Sequence, residues 1–147
     1  MFGLANKGVI YHPQFIQPED EKSFEPKKIA EIQLSDNKAW EKMEQALVDV
    51  ISARNGTAHK VYDANSVVIA GKTGTAQIKS ILPGKEYDAI RENPALRDHA
   101  LFVGYGPVED PKLVVAVIIE NGESGSEVAA PIVKSAINFF TGGFDAE

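Results

Sequence analysis

The sequence predicts an α+β (mixed α/β) fold in which an antiparallel sheet is flanked by helices. Apolar residues recur at a helical period in residues 34–51 and again after Pro131. Between these two segments lie three β-type runs, and the connections between them carry no helical pattern, which favours antiparallel pairing of neighbouring strands. A chain of 147 residues with 44% hydrophobic residues can bury one core, so residues 1–147 form one domain or part of one.

The first quarter of the chain predicts little regular structure. Residues 1–7 read as the last turns of a helix that stops at Gly8, which can adopt the left-handed conformation. Residues 9–16 are a short extended piece broken by Pro13, and residues 17–25 form an acidic surface excursion. The acidic run 19–21 is typical of a solvated face and lacks the glycine turn of a hard-cation loop, so we expect no metal there.

Residues 34–51 are predicted to form the clearest helix. Its start can be capped by Ser35, Asp36 or Asn37, and Gly56 lies just beyond its end. One apolar stripe runs along it at a 3.6-residue period, and we expect the helix to pack on the sheet, with the first two members of the stripe in the core. The stripe consists of Trp40, Met43, Leu47, Val50 and Ile51.

The remaining chain alternates strands with turns and ends in a helix. Residues 67–70 are predicted to be a buried strand that runs into a Gly-Lys-Thr-Gly-Thr segment, and 78–98 a long connection with turn signals. His99 begins the next strand, over 100–105, and 107–112 is a turn. Residues 113–119 are apolar throughout, which indicates a strand covered on both faces. Pro131 starts a helix that ends at Gly142 and Gly143.

The segment after residue 70 carries the candidate chemistry. Lys72 places a positive charge beside the hydroxyls of Thr73 and Thr75, and in an extended segment Lys72 shares one face with Gly74 while the two threonines share the other. The missing side chains of Gly71 and Gly74 let another backbone approach. Such an edge suits an extended, peptide-like ligand with a carboxylate.

Two alternatives apply to this segment. A phosphate-binding P-loop requires a glycine at position 66, where Ser66 stands, and a flexible loop where residues 67–70 favour a strand. A glycine-rich turn that merely ends a strand is the alternative without a ligand.

Lys-Thr-Gly is also one of the motifs of the serine acyltransferases that include β-lactamases and penicillin-binding proteins. Further segments follow in the order typical of one branch, and the chain resembles class B penicillin-binding proteins of the elongation (rod-shape) type from about residue 4 to residue 140. These segments are LANKG at 4–8, GTA at 56–58, AGKTGTAQ at 70–77, ALFVGYGP at 100–107, VAVIIENG at 115–122 and AAP at 129–131.

The resemblance implies the C-terminal portion of a transpeptidase domain, whose serine attacks the D-Ala-D-Ala bond of a peptidoglycan stem peptide and is trapped by β-lactams. It implies that Lys72, Thr73 and Thr75 bind the terminal carboxylate, that Gly74 admits the ligand backbone, and that the Thr75 amide is one oxyanion donor. Lys72 and Thr75 are thus the catalytic candidates. It also implies a periplasmic location with the membrane anchor outside this chain, and other cell-wall elongation proteins as partners.

The serine nucleophile is expected to lie outside this chain. Ser35-Asp36-Asn37-Lys38 matches both Ser-x-x-Lys and Ser-Asp-Asn, but one serine cannot serve both motifs and its neighbours are polar, so Ser35 is predicted to be a helix cap. The chain alone is expected to be inactive and to need the missing upstream portion of the domain.

Composition and residue spacing argue against several other classes of function. A net charge of -6 argues against nucleic acid as a partner, and the absence of cysteine excludes disulfides and thiolate metal sites. His12, His59 and His99 are far apart in sequence, so we expect neither a metal nor a cofactor. Two further readings stay open: a sensor or pseudoenzyme that binds β-lactam or peptide without turnover, and an unrelated soluble binding module.

Overall fold

A computed structural model describes residues 1–15, 25–36, 38–78 and 93–142 of the chain. The acidic run 19–21, most of the predicted excursion 17–25, Asn37, most of the predicted connection 78–98 and Gly143 lie outside the described residues. The main sheet has three antiparallel strands in sequence order, and a smaller antiparallel pair stands apart from it. The predicted α+β class is confirmed.

Helices and strands are numbered in chain order. Helices are α1 (Phe2–Ala5), α2 (Lys38–Ser52) and α3 (Ala130–Phe140). Strands are β1 (Val9–Tyr11), β2 (Lys28–Glu31), β3 (Ala70–Ala76), β4 (His99–Gly106) and β5 (Leu113–Ile119). Short 3₁₀ turns cover His59–Val61 and Pro94–Leu96, and a π-helical turn, Gly125–Ala129, leads directly into α3.

The three-stranded sheet has hydrophobic packing on both faces. Phe102 and Tyr105 lie three positions apart on β4, so their side chains point to opposite faces. The Phe102 face packs against Val133 and Ile137 of α3, and the Tyr105 face packs against α1 and against Leu47 of α2. Helices therefore cover both faces of the sheet, as the sequence predicts.

Two expectations about the core are wrong. Met43 is 46% exposed, because α2 packs on the main sheet through its second half and turns its first half toward the small sheet, where Trp40 lies against Gly8. Strand β5 is covered on both faces only in part: Val117, on the α3 side, packs against the core, and on the other side Val114 packs against the Tyr105 cluster while Ile118 is 63% exposed.

Two strand and helix starts also differ from prediction. The strand begins at Ala70 and not at residue 67, and Val68 is 53% exposed, since the residues before Ala70 have no partner in the β3–β4 ladder. Helix α2 begins three positions after Ser35, and the Asp36 carboxylate accepts a hydrogen bond from the Lys38 amide at 2.9 Å. The capping contact described at this helix start is therefore made by Asp36, not Ser35.

A membrane-crossing helix would need a longer apolar stretch than any helix in the described ranges has.

Candidate active site

The four predicted site residues lie together on strand β3. Lys72, Thr73, Gly74 and Thr75 stand opposite Val103, Phe102, Leu101 and Ala100 of β4 in an unbroken antiparallel register. Strand β3 is the outer strand of the described sheet, and its other side pairs with no strand among the described residues. The structure thus places the motif on an open sheet edge; what it binds stays a prediction.

The Lys72 side chain folds back along this edge toward its neighbour. Its ammonium group donates to the Thr73 carbonyl oxygen at 3.0 Å and to the Thr73 hydroxyl at 3.2 Å. Lys72 and Thr75 are exposed, and Thr73 is half-buried. The cation and the hydroxyls can therefore reach one solvent-facing ligand from a rigid strand.

Thr57 extends this polar group from another part of the chain. Its hydroxyl lies 3.3 Å from the Thr73 hydroxyl, because the chain after α2 passes beside β3. Thr57 was not among the predicted site residues, although the GTA segment at 56–58 was part of the resemblance and was the available signal. Thr57 therefore adds a third hydroxyl to the polar group at this edge of the sheet.

The charge of Lys72 is not neutralised within the described residues. The ion pairs found there join other residues, such as Lys112 with Asp110 and Lys134 with Asp63, and none includes Lys72. The described contacts of the Lys72 ammonium group are therefore with neutral oxygens only. A carboxylate ligand at this edge would form a stronger, charge-assisted hydrogen bond with it than these oxygens do.

The two glycines of the motif serve different purposes. A Cβ on Gly71 would lie 2.6 Å from two atoms of the Phe102 ring, so this glycine makes room for the core and not for a ligand, which corrects the expectation for Gly71. A Cβ on Gly74 would meet only the Leu101 Cβ, at 3.2 Å, so this position is less crowded than Gly71, and Gly74 is half-buried.

The histidines lie in three separate surroundings. His12 contacts the Pro13 carbonyl oxygen, His59 contacts the Ile51 carbonyl oxygen, and His99 accepts a hydrogen bond from the Asn121 amide at 3.0 Å. In the part of the chain that the structure describes, no three His, Asp or Glu side chains gather in a way that would hold a metal ion.

A cavity of about 220 Å³ lies away from these residues. Helix α2, the segment 61–69 and Lys134 of α3 line it, mostly with apolar side chains, and none of the four motif residues takes part. Asp63 at its mouth has its pKa lowered by hydrogen bonds from the Asn65 amide and from Lys134, so it stays ionised as the partner of that lysine.

Comparison with known proteins gives a consistent result. The penicillin binding protein transpeptidase domain family matches residues 3–138. Peptidoglycan D,D-transpeptidase MrdA of Haemophilus influenzae is 33% identical over 141 residues, which is 93% of this chain and 22% of that protein. The Acinetobacter baumannii protein of the same name is 41% identical over 103 residues, 69% of this chain and 14% of that protein.

Solved structures agree with these relatives. The crystal structure of Pseudomonas aeruginosa PBP2 in complex with WCK 5153 is similar, with a TM-score of 0.68 and 36% identity over 94% of this chain and 28% of that chain. Helicobacter pylori PBP2, in a complex with MreC, has a TM-score of 0.55 and 27% identity over 74% of this chain and 18% of that chain. The chain therefore spans less than a third of the length of each of these proteins.

Proposed function

Because the chain belongs to the penicillin-binding protein transpeptidase family, in its class B elongation type, we propose that it provides the substrate-carboxylate and oxyanion edge of a peptidoglycan D,D-transpeptidase. The observation that carries the proposal is the open edge of β3, where the Lys72 ammonium group lies outside every ion pair of the described residues. The chain supplies one wall of the site, and a serine outside this chain supplies the nucleophile.

In this proposal the stem peptide lies extended along β3. Lys72 and the hydroxyls of Thr73 and Thr75 bind its terminal carboxylate, and backbone pairing with the strand fixes its direction. Gly74, which has no side chain, leaves the ligand backbone free to approach. Binding at a rigid strand places the scissile carbonyl carbon in line with the serine oxygen.

The reaction then proceeds in two balanced steps. The serine oxygen attacks the carbonyl carbon of the penultimate D-Ala, its proton passes to the leaving amine, and the terminal D-Ala departs as the C–N bond breaks. An amine of a neighbouring stem peptide attacks the resulting ester, and the serine recovers a proton as the new amide forms. The Thr75 amide stabilises the oxyanion in both steps, and such a donor is worth about 3 to 4 kcal/mol.

A β-lactam enters by the same first step. Ring opening leaves the nitrogen attached to the acyl group, so no leaving group departs and the serine stays blocked. The proposal places this chemistry on the periplasmic face of the cytoplasmic membrane, with the anchor outside this chain. An elongation partner comparable to the MreC seen with the Helicobacter pylori relative is expected for the assembled protein.

The test is acylation by a fluorescent penicillin. This chain is measured alone and joined to the serine-bearing part of its domain, and in the joined protein Lys72→Ala is compared with Lys112→Ala. Lys112 is an exposed lysine of the β4–β5 turn, ion-paired with Asp110, so its loss removes the same charge away from the edge. Lys72→Ala should slow labelling about 10- to 100-fold with an unchanged melting temperature, and Lys112→Ala should label normally.

Each result decides between the functions. Labelling of the upstream part that depends on Lys72, together with stem-peptide cross-linking, supports the transpeptidase. Stable labelling without turnover of peptide indicates the sensor, and no labelling of the joined protein indicates an unrelated binding module. Normal labelling of Lys72→Ala contradicts the role assigned to Lys72.

A further inference from the structure

We infer that the turn at residues 121–124 and Gly125 form a support that sets the position of the Gly74–Thr75 peptide, and hence of the Thr75 amide. The inference rests on the proposed function, in which that amide is an oxyanion donor. It assigns positioning roles to Gly125, Asn121 and His99, none of which belongs to the Lys-Thr-Gly motif.

The contact is made by the π-helical turn. A Cβ added at Gly125 would overlap the Leu101 carbonyl oxygen and would lie 3.0 Å from the Gly74 carbonyl oxygen. Gly125 is buried, and the space between it and these two carbonyl oxygens is too small for a methyl group, so the π-helical turn passes close against the β3–β4 pair. Any larger residue would push these oxygens aside.

The Gly74 carbonyl and the Thr75 amide belong to one peptide unit. Because that unit is planar and trans, its N–H points away from its C=O, and a force on the oxygen turns the N–H by the same angle. Gly125 therefore limits, from the C=O end, how far the peptide that bears the Thr75 N–H can turn within the β3–β4 pair. An oxyanion donor works only when its direction is set in advance, so this contact has a consequence for the rate.

The support is itself held under strain. Asn121 and Glu123 have φ values of 58° and 59°, in the left-handed region that non-glycine residues rarely adopt. Such conformations persist where the surroundings enforce them. In this turn the left-handed conformations are held by contacts with Arg97 and Asp98, just before β4, and with His99, its first residue.

Four contacts among the described residues attach the turn to this part of the chain. The Asn121 amide donates to His99 Nδ1 at 3.0 Å, and the Asn121 side chain donates to the Arg97 carbonyl oxygen at 3.1 Å. The Glu123 amide donates to the Asp98 carbonyl oxygen at 2.9 Å, and the Glu123 carboxylate lies 3.8 Å from Arg97 Nε. Since His99 pairs with Ala76 on β3, the turn is anchored to the same end of the sheet whose peptide it supports.

The experiment separates positioning from stability. In the joined protein, the acylation rate constant and the half-saturating concentration of fluorescent penicillin are measured for Gly125→Ala, His99→Ala and Gly8→Ala, with melting temperatures. Gly8 is the matched control, because a Cβ there would lie 2.7 Å from the Ile32 carbonyl oxygen and next to Trp40, so it strains the backbone elsewhere.

Gly125→Ala should slow acylation about 10- to 100-fold while half-saturation changes less than about twofold, since Lys72 and the threonines still bind the carboxylate. His99→Ala removes one hydrogen bond without adding bulk and should slow acylation about three- to tenfold. Gly8→Ala should lower the melting temperature and leave the rate constant of the folded protein unchanged.

Two results would overturn the inference. One is Gly125→Ala or, if that variant fails to fold, His99→Ala acylating at the wild-type rate. The other is a loss of labelling that merely follows the loss of folded protein, as in Gly8→Ala. If the wild-type protein is not labelled at all, the proposed function fails and the inference falls with it; if only Lys72→Ala is impaired, the function stands and the inference alone fails.

Discussion

Gly71 is the position at which the core of the sheet limits the placement of strand β3, which carries the Lys-Thr-Gly motif. A Cβ at this position would lie 2.6 Å from Cε1 and from Cζ of Phe102 and 3.0 Å from the Val103 carbonyl oxygen. Carbon atoms in contact are normally about 3.5 to 4.0 Å apart, so Gly71→Ala is short of space by about 1 Å. Phe102 is fully buried against Val133 and cannot withdraw its ring.

The strain must therefore be shared between the ring and strand β3. Overpacking of this kind costs about 1 to 3 kcal/mol, which for a chain of this size lowers the melting temperature by about 3 to 10 °C. The assay is urea denaturation of Gly71→Ala, of Phe102→Leu and of the double variant, because leucine lacks the two ring atoms that the new methyl group would strike.

The double variant is the decisive measurement. If the overlap with the ring is the cause, the second substitution relieves the first, and the two free energies of unfolding couple by about 1 kcal/mol or more. Costs that simply add, within about 0.5 kcal/mol, would refute the reasoning and would place the strain at the Val103 carbonyl instead.

The remaining predictions concern the pKa of a buried tyrosine and the cost of shortening a buried and an exposed side chain. Burial, reinforced by the charge and hydrogen bond of Glu44, raises the pKa of Tyr105 from 10.0 to about 12, so the folded state holds this proton more tightly than the unfolded state does. The free energy of unfolding should therefore be unaffected below pH 10 and fall by about 2 to 3 kcal/mol as the pH rises through 12. Urea titrations at alkaline pH should show this fall in the wild type and not in Tyr105→Phe. Ile137→Ala should lower the free energy of unfolding by about 2 to 5 kcal/mol because the side chain is fully buried, whereas Met43→Ala, at a half-exposed helix position, should lower it by less than about 1 kcal/mol. Equal decreases of the melting temperature would contradict the different burial of these two side chains.

The sequence was informative where a local pattern coincides with a tertiary contact. Strand β4 begins at His99 as predicted, and its residues pair with β3 on one side and with β5 on the other. The run 67–69 before Ala70 is β-branched at every position, yet only one described backbone bond, from the Val108 amide to the Val68 carbonyl oxygen, attaches it to its neighbour. Composition therefore predicted a strand from residue 67, whereas the pairing with β4 begins only at Ala70.

Exposure of apolar residues was harder to predict, since it depends on what lies opposite each side chain. The apolar run of β5 reads as a strand between two layers, but only the side bearing Val115 and Val117 faces the Phe102 core. The other side carries Ile118 to the surface of the described chain. Periodicity reports that a face is apolar, and it does not report how far the covering helix extends.

The same distinction separates the two halves of the candidate site. Lys72, Thr73, Gly74 and Thr75 are adjacent in sequence, so one motif identifies them and the strand geometry fixes their faces. Gly125 follows Gly74 by about fifty positions, and the role inferred for it depends on the close approach of the π-helical turn to the Gly74 carbonyl oxygen. A peptide whose N–H faces the ligand must be held from its C=O side, and that side is reached only by a distant part of the chain. The ligand-facing half of such a site is therefore readable from sequence, and its supporting half requires the fold.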